Sequence, residues 1–345
     1  METGTLKDFA RDCGADLVGI ASMDRFEGAP PQMDPSRIFP DAKALIGLAF
    51  RIPRGYLRGI EEGTQFFQYP SLGYANINEI YAPGVIREVC CYLEDHGYEG
   101  VPHRNCGGRG PMSDMDGKGP SESPELGRRI THFEPVRPGQ PAPDIQFQFR
   151  IAAYLCGMGE IGWSKVFLTP EFGPRQRFAF VLTDAPLEPD PIYDGPALCD
   201  RCMACVGQCP GRAIDAKESV KVTLAGHEVE WGRLDEWSCF LAYMGGVKEI
   251  NPFVPIDAFD EVPGGREILM GQRKPRPEEV SGLQRILRKY YPNACGYNSA
   301  MCGGRGCIRA CMVHMEERGI LKNTFHRKFR RRKPWKMEPA EVGAS

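Results

Sequence analysis

The feature that most constrains this chain is a run of thiols, Cys199, Cys202, Cys205 and Cys209, followed at once by Pro210 in the spacing C-x2-C-x2-C-x3-C-P. Thiolates at every third residue wrap three corners of an iron-sulfur cubane, whereas the fourth cysteine, carried away by the turn at the proline, reaches a different cluster. One motif therefore implies two 4Fe-4S clusters. Structural zinc favours separated C-x2-C pairs, which makes it the weaker reading. The partner thiols form a second group, with Cys302, Cys307 and Cys311 at C-x4-C-x3-C and Cys239 and Cys295 also at hand. By the crossed arrangement Cys311 completes the set of Cys199, Cys202 and Cys205, and Cys209 joins three of Cys239, Cys295, Cys302 and Cys307.

The rest of the composition narrows the class. Fourteen cysteines occur among 345 residues, and the N-terminal residues carry neither a basic stretch before an apolar run nor a twin-arginine pair, so a cytoplasmic location is expected. Disulfides are not kept in that compartment, and metal or redox chemistry explains the thiols instead. Cys13, Cys90, Cys91, Cys106 and Cys156 lack ligand spacing and are expected as ordinary buried thiols. The longest apolar stretch, near residues 42–50, falls far short of the ~20 residues of a membrane span. Lys and Arg number 43 against 45 Asp and Glu, a formal charge of -2, which argues against nucleic acid or an anionic membrane as a partner. The local exception is the basic run from Lys322 to Lys336, read as a solvated tail, with contact to tRNA phosphates as its one nucleic-acid role.

An amphipathic helix is read at Leu6, Phe9, Ala10 and Cys13, strands at residues 16–21 and 42–50, and a helix at Ile86, Val89, Cys90 and Leu93. A helix at 147–156 and a strand at 177–183 follow a Gly- and Pro-dense, lid-like insert at about 106–143. The Pro-rich stretch 184–191 suggests a boundary. The expected organisation is a cofactor and substrate domain at 1–190, a double-cluster domain at 191–320 and a mobile basic tail at 321–345. About 190 residues precede the first ligand, too many for a simple electron carrier and enough to house a cofactor and substrate.

The Gly-punctuated run 157–162, the segments 168–175, 182–184 and 187–190, the Cys199 run and the stretch from Cys239 to Tyr243 together resemble the corrinoid-dependent iron-sulfur reductases, comprising epoxyqueuosine reductases and reductive dehalogenases. What the resemblance implies is an α+β fold: a nitroreductase-like α/β domain holding base-off cobalamin, followed by a bacterial two-cluster ferredoxin-like domain. It selects Cys239 over Cys295 as the remaining ligand. It implies cofactor contacts at Gly157, Gly159, Glu160, Gly162, Arg175 and Thr183, because a flat macrocycle lies against backbone only where no Cβ intrudes. A proton donor is implied at Asp144, as in epoxyqueuosine reductases, or at Tyr154, by analogy with the dehalogenase tyrosine. An external donor, a ferredoxin or flavodoxin, would supply electrons, and a small organic molecule or modified nucleoside would accept them. The run from Gly157 to Trp163 is closer to the dehalogenase form. Two further readings remain, a flavin enzyme and a protein that reduces a partner corrinoid protein. Anaerobically purified protein is expected to be brown and to carry about eight iron and eight sulfide per chain; a colourless, zinc-loaded polypeptide would contradict this reading.

Overall fold

A computed structural model describes residues 1–105, 136–141, 145, 147–290, 300–303, 305–330, 332, 333 and 335–337. Most of the lid-like insert, together with Cys106, Asp144 and Cys295, lies outside the described residues. No helix among the described residues is long and apolar enough to cross a membrane.

The chain is a mixed helix and sheet protein. Its main sheet contains β1 (Leu17–Ser22), β2 (Ala44–Arg51), β3 (Gly100–His103) and, from later in the chain, Gln176–Thr183, which is β6 once the short strands β4 (Glu160–Ile161) and β5 (Phe167–Leu168) are counted. The order is β1-β2-β6-β3 and every pairing is antiparallel. Strand β2 is buried at every position except Arg51, which is why its sequence is one unbroken apolar run and not an alternating one. One face is covered by α1 (Thr3–Asp12) and α2 (Ala82–Asp95) through Leu6, Ala10, Val85, Ile86, Val89 and Leu93. The other is covered by α3 (Phe149–Leu155) and by the hairpin of β7 (Ile214–Leu224) and β8 (His227–Leu234) through Ala152, Leu155, Val229 and Trp231. The end of α3 presses onto the sheet at two paired glycines, Gly19 and Gly47. A Cβ at Gly19 would stand 2.3 Å from the Cys156 carbonyl oxygen, and one at Gly47 3.0 Å from the Cys156 sulfur. Cys156 is thus a buried structural thiol, donating to the Leu45 carbonyl at 3.7 Å.

Between β2 and α2 the residues Gln68–Tyr81 wind as a π-helix, turning Tyr69, Ile77 and Asn78 inward. Such winding is usually confined to single turns at functional sites. The C-terminal part adds α4 (Ala204–Gly207), α5 (Glu236–Tyr243), α6 (Pro277–Leu287) and α7 (Cys307–Arg318).

The division expected near residue 190 does not divide the core. One apolar cluster joins Leu6, Ile46 and Val89 to Ala242, Val247, Met301, Met312 and Phe329, because the sheet lacks enough helices of its own to cover that face. The tail expected to be mobile also packs, at least through Phe329, which is 2% exposed, and Leu321, which is 5% exposed. Arg58 donates to the Phe329 carbonyl. Buried Glu61 pairs with Arg309 at 2.7 Å and Arg330 at 2.6 Å, and the Trp335 ring meets Phe66 edge-on at 5.3 Å. Residues 321–330 therefore form a strap, tied to the fold by Phe329, by Arg330 on Glu61 and by Lys322 on Glu171.

Two measurements check this packing. Glu61→Ala leaves Arg309 and Arg330 without their shared carboxylate and is expected to cost about 3–5 kcal/mol in chemical denaturation. His103, stacked on Phe147 at 4.3 Å, is pushed down to about 4 by burial. Its folded form therefore stays neutral while the unfolded chain takes up a proton near pH 6.5. Stability is expected to fall by up to about 3 kcal/mol between pH 6.5 and pH 4, a loss that His103→Phe removes.

Candidate functional site

Helix α5 brings Cys239 and a turn brings Cys302, while one loop and two further helices, α4 and α7, gather the other thiols. After Cys199 the loop bends through left-handed residues at Arg201, φ 57°, and Met203, φ 59°, conformations that non-glycine residues adopt only where surroundings enforce them. The short α4 then carries Cys205, with Cys209 just past its end. Helix α7 carries Cys307 and Cys311 one turn apart on one face, a separation of about 6 Å along its axis. Each of these two helices thus delivers one thiol to each of two adjacent sets.

Electrostatic coupling among the thiols identifies the sets. Cys205 is pushed up to about 11 by burial and then by Cys199 and Cys202. Cys311 is raised by burial, then most by Cys199 and Cys205. Cys239 is pushed up to about 12 by burial and then by Cys209, and Cys307 to about 12 by burial, then Cys239 and Cys209. Cys302 is raised by burial, then by Cys239, Cys307 and Cys209. The structure therefore brings together Cys199, Cys202, Cys205 and Cys311, and beside them Cys209, Cys239, Cys302 and Cys307. Buried thiols keep their protons unless a cation pulls them off, and a quartet of sulfur donors suits iron-sulfur or zinc and not harder ions. The donor chemistry of both sets fits an iron-sulfur cluster.

The glycine run before the cysteines serves this loop. Half-buried Glu160 accepts the Cys199 backbone N–H, and the Trp163 N–H donates to the Cys199 sulfur at 3.3 Å. The Trp163 indole N–H donates to the Asp215 carbonyl at 2.9 Å. In the second set the Ala213 N–H donates to the Cys209 sulfur at 3.4 Å. Gly157, φ 71°, and Gly159, φ 151°, face chain: a Cβ would stand 2.1 Å from the Pro191 carbonyl oxygen and 2.0 Å from that of Leu168. A Cβ at Gly162 would stand 3.0 Å from the Leu168 side chain. Close approach to the protein's own backbone accounts for glycine at 157 and 159, and approach of the Leu168 side chain for glycine at 162.

Arg175 and Thr183 are also engaged internally. Arg175 donates to the Ile52 carbonyl at 2.8 Å and to Asn323 at 2.7 Å, while the Thr183 hydroxyl caps the Ala185 N–H at 3.1 Å. Tyr154 is buried among Phe147, Phe167 and Phe178, and its phenol is raised by burial and then by Glu160.

A recess beside the second set escaped the sequence reading. Arg177 donates to Asn78 at 3.1 Å, hydrogen-bonds Tyr74 and lies 4.2 Å from the centre of that ring. Tyr74 packs against Tyr243 at 5.8 Å. Tyr69 is raised by burial, and its environment includes Cys302 and Cys307. Burial lowers Arg150, yet that side chain is exposed, and Arg177, Tyr74, Tyr243, Cys239, Cys302 and Cys307 are each partly accessible. The Asn78 amide nitrogen there is buried with no hydrogen-bond partner among the described residues. The sequence signal was the density of Tyr and Asn in Gln68–Tyr81.

No family model matches the chain. It is 38% identical over 72 residues to a tetrachloroethene reductive dehalogenase of Desulfitobacterium hafniense, covering 20% of this chain and 13% of that protein. It is 42% identical over 60 residues to the Sulfurospirillum multivorans enzyme of the same name, covering 17% and 12%. The matches thus span about an eighth of those relatives. Among solved structures, the catabolic reductive dehalogenase NpRdhA aligns over 82% of this chain and 36% of its own, with 17% identity and TM-score 0.47. An epoxyqueuosine reductase bound to a tRNA-Tyr stem loop aligns over 92% and 82%, with 14% identity and TM-score 0.44.

Removing the Glu160 carboxylate frees the Cys199 loop, so Glu160→Ala is expected to lower iron from about eight to about four per chain, whereas Tyr154→Phe leaves it at about eight.

Proposed function

We propose that the chain is an iron-sulfur oxidoreductase that passes electrons through two 4Fe-4S clusters to a base-off corrinoid and reduces an organic substrate in the manner of a reductive dehalogenase. The observation that carries this is the cluster in which Arg177 bonds Asn78 and Tyr74 beside the half-buried second thiol set. In this reading Cys199, Cys202, Cys205 and Cys311 hold the cluster that receives electrons from an external ferredoxin or flavodoxin. Cys209, Cys239, Cys302 and Cys307 hold the cluster that faces the recess. The corrinoid supplies two-electron cobalt chemistry when bound. The unpartnered Asn78 amide N–H suits a carbonyl on the cofactor's amide-bearing rim, and the layout is a nitroreductase-like sheet domain joined to a ferredoxin-like domain.

The reduction R–X + 2e⁻ + H⁺ → R–H + X⁻ needs a local proton and a place for negative charge. In this reading Tyr74 serves as a proton donor, and Arg177, hydrogen-bonded to it, stabilises the phenolate left behind. Tyr74 thus joins Asp144, which lies outside the described residues, and Tyr154 as a candidate for this role. The sequence identity with tetrachloroethene reductive dehalogenases supports a halogenated organic substrate.

The test is anaerobic loading with hydroxocobalamin, followed by reduction with dithionite and methyl viologen in the presence of a halogenated phenol or ethene. About one cobalt per eight iron and release of halide are expected. Tyr74→Phe should retain the cobalt and lower kcat by about 100-fold or more. Eight iron with no corrinoid uptake would overturn the cofactor assignment and leave an electron carrier.

A further inference from the structure

A second pocket, of about 440 Å³, lies where the end of β2 and the loop after it meet the C-terminal strap. Four guanidinium groups line it: Arg51, Arg54, Arg58 and Arg175. The carboxylates facing them are Asp16, 3.4 Å from Arg51, Glu62, 3.8 Å from Arg58, and Glu316, 2.8 Å from Arg54. Arg175 has no carboxylate within ion-pairing distance among the described residues, although it is fully buried. Its Nε–H is buried without a hydrogen-bond partner among those residues. Burial pushes its pKa down to about 10. A buried cation with a spare donor is costly unless an anion reaches it.

The other groups are already positioned. Arg54 lies 3.6 Å over the Phe325 ring and donates to the Arg327 carbonyl at 3.0 Å. Arg58 donates to the Phe329 carbonyl. Asn323 accepts from Arg175, leaving its amide N–H₂ to donate. Phe325, 40% exposed, supplies a flat apolar wall at the rim. Convergent guanidinium forks match phosphate oxygens bidentately, and the volume exceeds that of a bare phosphate. We propose that this pocket binds a small phosphate monoester, its phosphate held by Arg51, Arg58 and Arg175 and its flat organic body lying against Phe325. The site is separate from the recess beside the second thiol set, and does not require the cofactors proposed there.

Isothermal titration of the anaerobically purified full chain with phenyl phosphate, inorganic phosphate and benzyl alcohol tests it. Phenyl phosphate should bind at least tenfold more tightly than inorganic phosphate, with affinity falling as salt rises, and benzyl alcohol should give no signal. Arg51→Gln, at a half-exposed position that leaves the fold intact, should weaken phenyl phosphate about tenfold. Arg175→Lys should weaken it further while thermal unfolding confirms a folded chain. No binding at about 5 mM phenyl phosphate, a dissociation constant above the weakest useful range, would overturn the proposal. So would affinity unchanged in Arg51→Gln. Equal affinity for phosphate and phenyl phosphate would overturn the assignment of a monoester.

Discussion

Ionising a thiol removed from water is penalised by desolvation, and this chain gathers two groups of four in which all but Cys202 are at least half-buried. Burial is the largest cause of the raised pKa at Cys205, Cys239, Cys302, Cys307 and Cys311. Much of the architecture around them follows from holding sulfur atoms close together out of water. The left-handed residues Arg201 and Met203 bend the loop, Glu160 and Trp163 fix its first cysteine, and α7 sets Cys307 and Cys311 one turn apart. A bound cationic cluster would turn that penalty into folding energy, since the unfolded chain has no preformed site.

The same economy explains why the two halves of the chain share a core. The sheet needs the second half to cover β2, and the second half needs the sheet to enclose its thiols. The strap completes the arrangement, with Phe329 in the core and Glu61 between Arg309 and Arg330.

What could be read from the sequence was what depends on near neighbours. The cysteine spacing of the 199–209 and 302–311 runs was local, whereas Cys239 entered the second group only through the family resemblance. The strands at 17–22, 44–51 and 176–183 and the flanking helices announced themselves by apolar pattern. The glycines at 157 and 159 were legible as places of close approach, but not what approaches: a missing Cβ serves Pro191 or Leu168 as well as a macrocycle. The basic strap was misread because arginine runs are usually solvated, and only the folded chain brings Glu61 and the Ile60 carbonyl within reach of Arg330 and Trp335. Hairpin β7–β8 has a largely exposed, charged face, which hid its strand pattern. The recess draws Asn78, Arg177 and Tyr243 from three distant stretches, beyond any short-range signal.

The crossing of the thiol sets is tested most directly by paired variants read by electron paramagnetic resonance of the dithionite-reduced protein. Cys209→Ser and Cys307→Ser are predicted to alter one and the same cluster signal, and Cys311→Ser and Cys205→Ser the other, although 209 and 205 are neighbours in sequence and so are 307 and 311. If Cys209→Ser instead altered the signal shared with Cys205→Ser, the crossed arrangement would be wrong.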